Sequence, residues 1–172
     1  MINNEIEIKF KLEEKDNARS KLLALGGIPQ KPYKQTTYGF FSEDSIEKGI
    51  FPRIRNEHGK IVLTVKVRPK EKTNYFERKE YLMEILNAED GVKIMKSMGY
   101  DQVRVFEKTR EEWKFNNVEV VLDELYFGTY IEIEGSKKEI EEMVKRLGFE
   151  KKERITKAYL GLEDDYLKDK NK

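Results

Sequence analysis

The sequence predicts an α+β fold: a mostly antiparallel sheet, closed into a barrel or strongly curved, with helices packed on its outside. Three observations carry this. Segments of strict apolar/polar alternation recur along the chain, several of them joined by connections of hairpin length. Segments of helical spacing stand between them, and three end at a glycine: Gly26, Gly99 and Gly148. No break in composition divides the 172 residues, so the expectation is one domain over 1–172. The three glycines are unequally spaced, which makes this a recurring unit and not a solenoid.

Each element follows from its pattern. Residues 4–12 alternate, with Glu5, Glu7 and Lys9 on one face and Ile6, Ile8 and Phe10 on the other. Residues 16–25 have helical spacing, with Ala18, Leu22, Leu23 and Leu25 apolar and Gly26-Gly27 closing the helix. Pro29 and Pro32 mark a connection. Residues 34–41 read as a second strand and 42–49 as a loop. Residues 51–55 and 60–68 form a hairpin around the turn cluster Asn56-Glu57-His58-Gly59. An exposed loop at 69–73 leads to a long strand at 75–86. Asn87 caps a helix to 98, whose apolar side is Val92, Ile94, Met95 and Met98. Residues 102–115 and 118–125 are strands about the turn Asn116-Asn117, and 129–134 is another. Ser136 and Glu139 form a capping box that opens a helix to Leu147, and 155–168 is the last helix. The expectation is about eight strands and about four helices.

Composition excludes several chemistries. There is no Cys and one His, so disulfides, thiolate nucleophiles and Cys- or His-based metal sites fall away. A metal would need Asp and Glu oxygens, which favours a hard cation such as Mg²⁺ or Mn²⁺. Lys plus Arg is 34 against 33 Asp plus Glu, which argues against a general nucleic-acid coat. No stretch approaches a membrane span and the N-terminus is no signal peptide, so a cytoplasmic protein without nucleic-acid or membrane partners is expected, as monomer or homodimer. Charged residues are 39% of the chain, well above the usual figure of about 25%.

Those charges are sorted by strand face. One face carries Glu5, Glu7 and Lys9; then Arg53 and Arg55; Thr64, Lys66 and Arg68; Arg78, Glu80, Leu82 and Glu84; Lys108 and Arg110; Glu119, Val121 and Asp123; Glu132 and Glu134. Opposite faces carry Ile8, Ile54, Leu63, Val65, Val120, Leu122, Ile131 and Ile133. A one-sided sheet with its polar face in water is the common meaning of such alternation. Two features of the set favour a polar cavity instead. Glu residues at i and i+2 on one face repel each other unless a cation sits between them. A small closed barrel has room inside for one small ligand. Carboxylates for a metal beside guanidinium groups for an anion are what a polyphosphate with its metal requires.

The ordered motifs resemble those of the CYTH, or triphosphate tunnel metalloenzyme, family. Glu5-Ile6-Glu7-Ile8-Lys9 is similar to its Glu-x-Glu-x-Lys signature, and residues 35–41 to its Gln-x-x-x-Tyr-Phe strand. Arg53-Ile54-Arg55, Leu63-Thr64-Val65-Lys66, Arg78-Lys79-Glu80 and Lys108-Thr109-Arg110 resemble its basic strands. Asp123, the Gly128 to Glu134 segment and Lys157-Ala158-Tyr159-Leu160 resemble its ending. The resemblance implies an eight-stranded antiparallel tunnel acting on a triphosphate such as ATP, tripolyphosphate or thiamine triphosphate. It implies that Glu5, Glu7, Asp123, Glu132 and Glu134 bind or support Mg²⁺ or Mn²⁺, with Glu80 as a supporting acid. It implies that Lys9, Arg53, Arg55, Lys66, Arg78, Lys108 and Arg110 grip the phosphates, and that Lys157 and Tyr38 are candidate catalytic groups.

The family's reactions divide by nucleophile. Water gives a triphosphatase, and a ribose hydroxyl gives a class IV adenylyl cyclase. Class IV cyclases carry a His-Phe pair before Glu-x-Glu-x-Lys, where this sequence has Met1 to Asn4, and this tilts the expectation to hydrolysis. The helix at 87–98 resembles the cyclase-like branch. Thr37 stands where members often have Asp. A binding module without turnover is the non-enzymatic alternative, and the acidic set argues against it. His58 is read as a solvated turn residue and Trp113 as a core or rim residue.

Overall fold

The structure, a computed structural model, describes residues 2–69 and 75–171, with side chains from residue 5. Its elements in chain order are β1 (Ile2–Leu12), α1 (Lys15–Ala24), β2 (Ile28–Pro29), β3 (Tyr33–Phe41), α2 (Glu43–Lys48), β4 (Ile50–Glu57), β5 (Lys60–Val67), β6 (Phe76–Ile85), α3 (Ala88–Ser97), β7 (Gln102–Lys114), β8 (Glu119–Leu125), β9 (Gly128–Glu134), α4 (Lys137–Leu147) and α5 (Tyr159–Lys170). Among the described residues the strands form one sheet in the order β2-β7-β3-β4-β5-β6-β1-β9-β8. A further β7–β8 pairing closes eight of them into an antiparallel barrel, with β2 as an extra strand on β7 and the five helices outside. The predicted fold class is what the structure has.

Contacts group the chain into two compact units. The first comprises Met1–Glu5, Tyr33–Thr73 and Glu77–Thr109. Its apolar core is Phe40, Ile54 and Met95, with Tyr38, Leu63, Ile85 and Val92 packed against them. Helix α3 covers this strand face. It approaches closely because Gly91 has no side chain: a Cβ there would stand 2.6 Å from Ile54 Cδ1 and 2.7 Å from Ile85 Cδ1. The side chain of Asn87 caps α3 by accepting from the Asp90 amide, as the sequence predicts.

The second unit comprises Ile6–Pro32, Asn74–Phe76 and Arg110–Lys172. Its core joins Ile8, Phe10, Val120, Leu122, Ile131 and Ile133 of the strands to Ala18 and Leu22 of α1 and Ile140, Met143, Val144 and Leu147 of α4. Trp113 belongs to this core and is 1% exposed. The capping box of α4 forms as predicted, with Gly148 in the left-handed conformation (φ 70°) that glycine adopts without strain.

Three elements differ from the sequence expectation. The connection marked by Pro29 carries the strand β2, with Ile28 opposite Lys114 and Pro29 opposite Trp113. Residues 42–49 are not a loop: Ser42 and Ser45 form a reciprocal capping box on the six-residue helix α2. The last helix starts at Tyr159, not 155, because the Ile155 amide donates to the Lys9 carbonyl at 2.9 Å and holds that stretch extended. Residues 70–73 of the loop expected at 69–73 lie outside the described residues.

Candidate functional site

In each unit the strand face turned away from the helices buries charge. In the first unit the β4–β5 register puts Arg53 opposite Thr64, and the β5–β6 register puts Lys66 opposite Glu80. Arg53 Nη2 donates to Glu80 Oε1 at 3.3 Å, and Lys66 Nζ stands 3.7 Å from the same oxygen. Lys66 also donates to Glu5 Oε1 at 2.6 Å, both groups being buried. Arg55 Nε donates to Glu57 Oε2 at 3.1 Å. Lys108 is buried. Arg78 is half-buried and donates to the Glu77 carbonyl. The basic residues Arg53, Arg55, Lys66, Arg78 and Lys108 outnumber Glu5, Glu57 and Glu80 here.

In the second unit the balance reverses. The antiparallel register sets Glu7 opposite Glu134 and Glu134 opposite Glu119, and in the next row Lys9 opposite Glu132. Lys9 is 2% exposed; its Nζ lies 2.7 Å from Glu132 Oε1 and 3.4 Å from Glu7 Oε1, and 4.4 Å above the Tyr159 ring. Burial alone would drive Lys9 toward its neutral form, but Glu132 and Glu7 outweigh it and raise the pKa above the ordinary lysine value. Arg110 donates through Nε to Asp123 Oδ1 (2.8 Å), and through Nη2 to Asp123 Oδ2 (2.6 Å) and Glu132 Oε2 (2.7 Å). The Tyr159 hydroxyl donates to Asp123 Oδ2 at 2.8 Å. Burial, then the Asp123 charge, pushes the Tyr159 phenol well above its ordinary value, so it stays a donor.

The predicted site residues therefore fall into two sets. Glu5, Arg53, Lys66 and Glu80 form one, and Glu7, Lys9, Arg110, Asp123 and Glu132 the other, with Glu134 exposed at its margin. Two predicted catalytic residues join neither. Tyr38 pairs with Ile54 and packs on the apolar core, because its position on β3 is one residue out of phase with Thr37 and Gly39, the partners of Arg55 and Arg53. Lys157 is half-exposed in the segment before α5, where its ammonium donates to Asp165. Asp123 is fully buried, and its two oxygens accept from Arg110 and Tyr159, so it orients that guanidinium. One residue in contact with these charges was missed: Tyr159, which stands inside a quoted motif and whose place beside Asp123 and Lys9 only the folded chain reveals.

Among the described residues no three acidic side chains converge into a ready-made metal cage. Mg²⁺ does not need one, since it is commonly held by one or two carboxylates together with substrate phosphates and water. Glu7 and Glu134 fit that demand. They are hard oxygen donors set directly opposite each other, where like charges repel unless a cation intervenes.

Each unit thus buries acids beside Lys or Arg on its strands, within an antiparallel sheet closed by the β7–β8 pairing. The chain belongs to the CYTH family: the CYTH domain matches residues 3–159. It is 29% identical over 171 residues to a protein of Methanocaldococcus jannaschii whose name proposes an adenylate cyclase, covering 92% of this chain and 97% of that one. The structure of the PH1012 protein from Pyrococcus horikoshii is similar with a TM-score of 0.80 at 26% identity, covering 92% of this chain and 98% of that one. A more distant fold likeness, TM-score 0.57 at 22% identity over 84% of this chain and 88% of that one, is to a Hippeastrum protein described as a proposed adenylyl cyclase with a dominant triphosphatase activity.

Proposed function

We propose that this protein hydrolyses a phosphoanhydride bond of a triphosphate with the help of a divalent metal. The observation that carries the reading is the acid excess on the polar face of the second unit, where Glu7, Glu119, Asp123, Glu132 and Glu134 outnumber Lys9, Lys11 and Arg110. A site for an anion alone has no use for that excess. Glu7 and Glu134 would hold Mg²⁺ or Mn²⁺, which when bound neutralises charge on phosphoryl oxygens and orients the attacking group. Asp123 and Glu132 fix Arg110 and Lys9 in charged, oriented form, and these cations bind phosphate oxygens. In the first unit taken by itself, Arg53, Arg55, Lys66, Arg78 and Lys108 form a base-rich face suited to phosphate oxygens, with Glu5 and Glu80 setting the position of Lys66. CYTH membership and the activity described for the Hippeastrum protein support hydrolysis.

A second reading is cyclisation of ATP to cyclic AMP and pyrophosphate, favoured by the name of the Methanocaldococcus jannaschii relative. Both reactions use the same grip on phosphate. Incubation with ATP, tripolyphosphate and thiamine triphosphate, each with Mg²⁺, Mn²⁺ or EDTA, separates them. Orthophosphate release that stops in EDTA is the expected result. Cyclic AMP with pyrophosphate would replace hydrolysis by cyclisation, and turnover of none of the three would sink the enzymatic reading.

A further inference from the structure

We infer that two uncharged side chains of the first unit, Gln35 and Thr64, donate hydrogen bonds to the bound anion alongside the cations. The inference rests on the triphosphate reading above and adds two ligand contacts to it. Both residues are 1% exposed. Gln35 Nε2 and Thr64 Oγ1 have no hydrogen-bond partner in the protein. Folded proteins keep few such groups, because a buried donor without an acceptor costs stability. Both lie on the strand face that carries Arg53 and Arg55. Thr64 is directly opposite Arg53, and Gln35 shares the face of Thr37, which is opposite Arg55.

The chemistry of the two atoms selects the ligand. Each can donate, so each needs an acceptor. The Gln35 amide nitrogen can only donate and so excludes a metal ion, the Thr64 hydroxyl can donate to the same acceptor, and an apolar group would leave both unmade. Phosphate oxygens accept only, and Arg53 and Arg55 already draw an anion to these rows. The two donors also measure the ligand. Gln35 lies four residues along β3 from Gly39, the partner of Arg53, which is about 13 Å at the usual strand rise. One phosphate does not span that length; an extended polyphosphate laid along the strands does.

The test is titration of tripolyphosphate into the full chain, followed by calorimetry in excess EDTA so that metal-assisted turnover is off. Thr64→Val and Gln35→Met remove the donors at nearly constant volume, and Thr64→Ser restores a hydroxyl. Each of the first two is expected to weaken binding about tenfold. Thr64→Ser should bind like the wild type, and the ligand-free melting temperature should be unchanged or higher in Thr64→Val. Wild-type affinity in both donor-less variants would overturn the inference, assigning the two atoms to buried water and leaving the triphosphate reading in place. Failure of the wild type to bind either tripolyphosphate or ATP would remove both. If one substitution prevents folding, the other tests the same donor role at an independent position.

Discussion

Asp123→Asn separates a residue that holds a guanidinium from one that holds a metal. The wild-type carboxylate is fully buried and accepts three hydrogen bonds, at 2.8 and 2.6 Å from Arg110 and 2.8 Å from Tyr159. Asparagine keeps the shape and one acceptor oxygen. Its amide group turns two N–H donors toward groups that are themselves donors. Breaking a buried pair by removing one partner costs about 3–5 kcal/mol. Arg110 keeps its contact to Glu132 at 2.7 Å, so its charge is not left alone and the lower end applies, about 3 kcal/mol. With a urea slope near 2 kcal/mol/M, the unfolding midpoint should fall by about 1.5 M. The assay is urea unfolding followed by far-UV circular dichroism at pH 7, in EDTA and again in Mg²⁺. A guanidinium holder gives the full loss in EDTA. A loss below about 1 kcal/mol, or one seen only with Mg²⁺, would refute the reasoning and return Asp123 to the metal.

Other substitutions follow from the same contacts. Glu134 is exposed, so Glu134→Gln should abolish metal-dependent turnover while leaving the melting temperature unchanged; retained turnover would remove Glu134 from the metal set. The Glu141 carboxyl is pulled down to about 2 by hydrogen bonds from Arg154 and then Tyr75. Its folded pKa is below the ordinary 4.5, so its stabilisation is complete above that value and is lost as pH falls toward about 2. The side chain is 44% exposed, so screening limits the effect to about 1 kcal/mol. Glu141→Gln should therefore show a smaller drop in melting temperature than the wild type between pH 6 and pH 3, and equal drops would mean the clamp contributes nothing. Gly91→Ala should cost about 1–2 kcal/mol through overpacking against Ile54 and Ile85, seen as a lower melting temperature; no change would mean that α3 is loosely seated.

The sheet was legible because alternation is a local signal. Residues 5–12 show it in every position, and β1 covers them. Helix α2 was not, because six residues are too few to display a period of 3.6, and its start depends on side-chain hydrogen bonds between Ser42 and Ser45. The start of α5 was misplaced for a different reason. Residues 155–158 carry no helix breaker, and the backbone bond from Ile155 to Lys9, residues far apart in the chain, takes Ile155 out of the helix.

The site was legible as faces and not as pairs. Alternation puts Glu5, Glu7 and Lys9 on one side of β1, but it cannot say that Glu5 receives Lys66 while Glu7, two residues on, shares Lys9 with Glu132. Those pairings come from strand register, where a slip of one residue exchanges the faces; Tyr38 is that slip, with Gly39 in the row of Arg53. The same limit applies to charge. A net charge of +1 cannot show that the polar face of one unit is rich in bases and that of the other in acids. Once register is known, the excess acids of one face are suited to a cation and the excess bases of the other to an anion, which is what the proposed reading uses. The unpartnered groups at Gln35 and Thr64 stand on the base-rich face, where an acceptor would satisfy both.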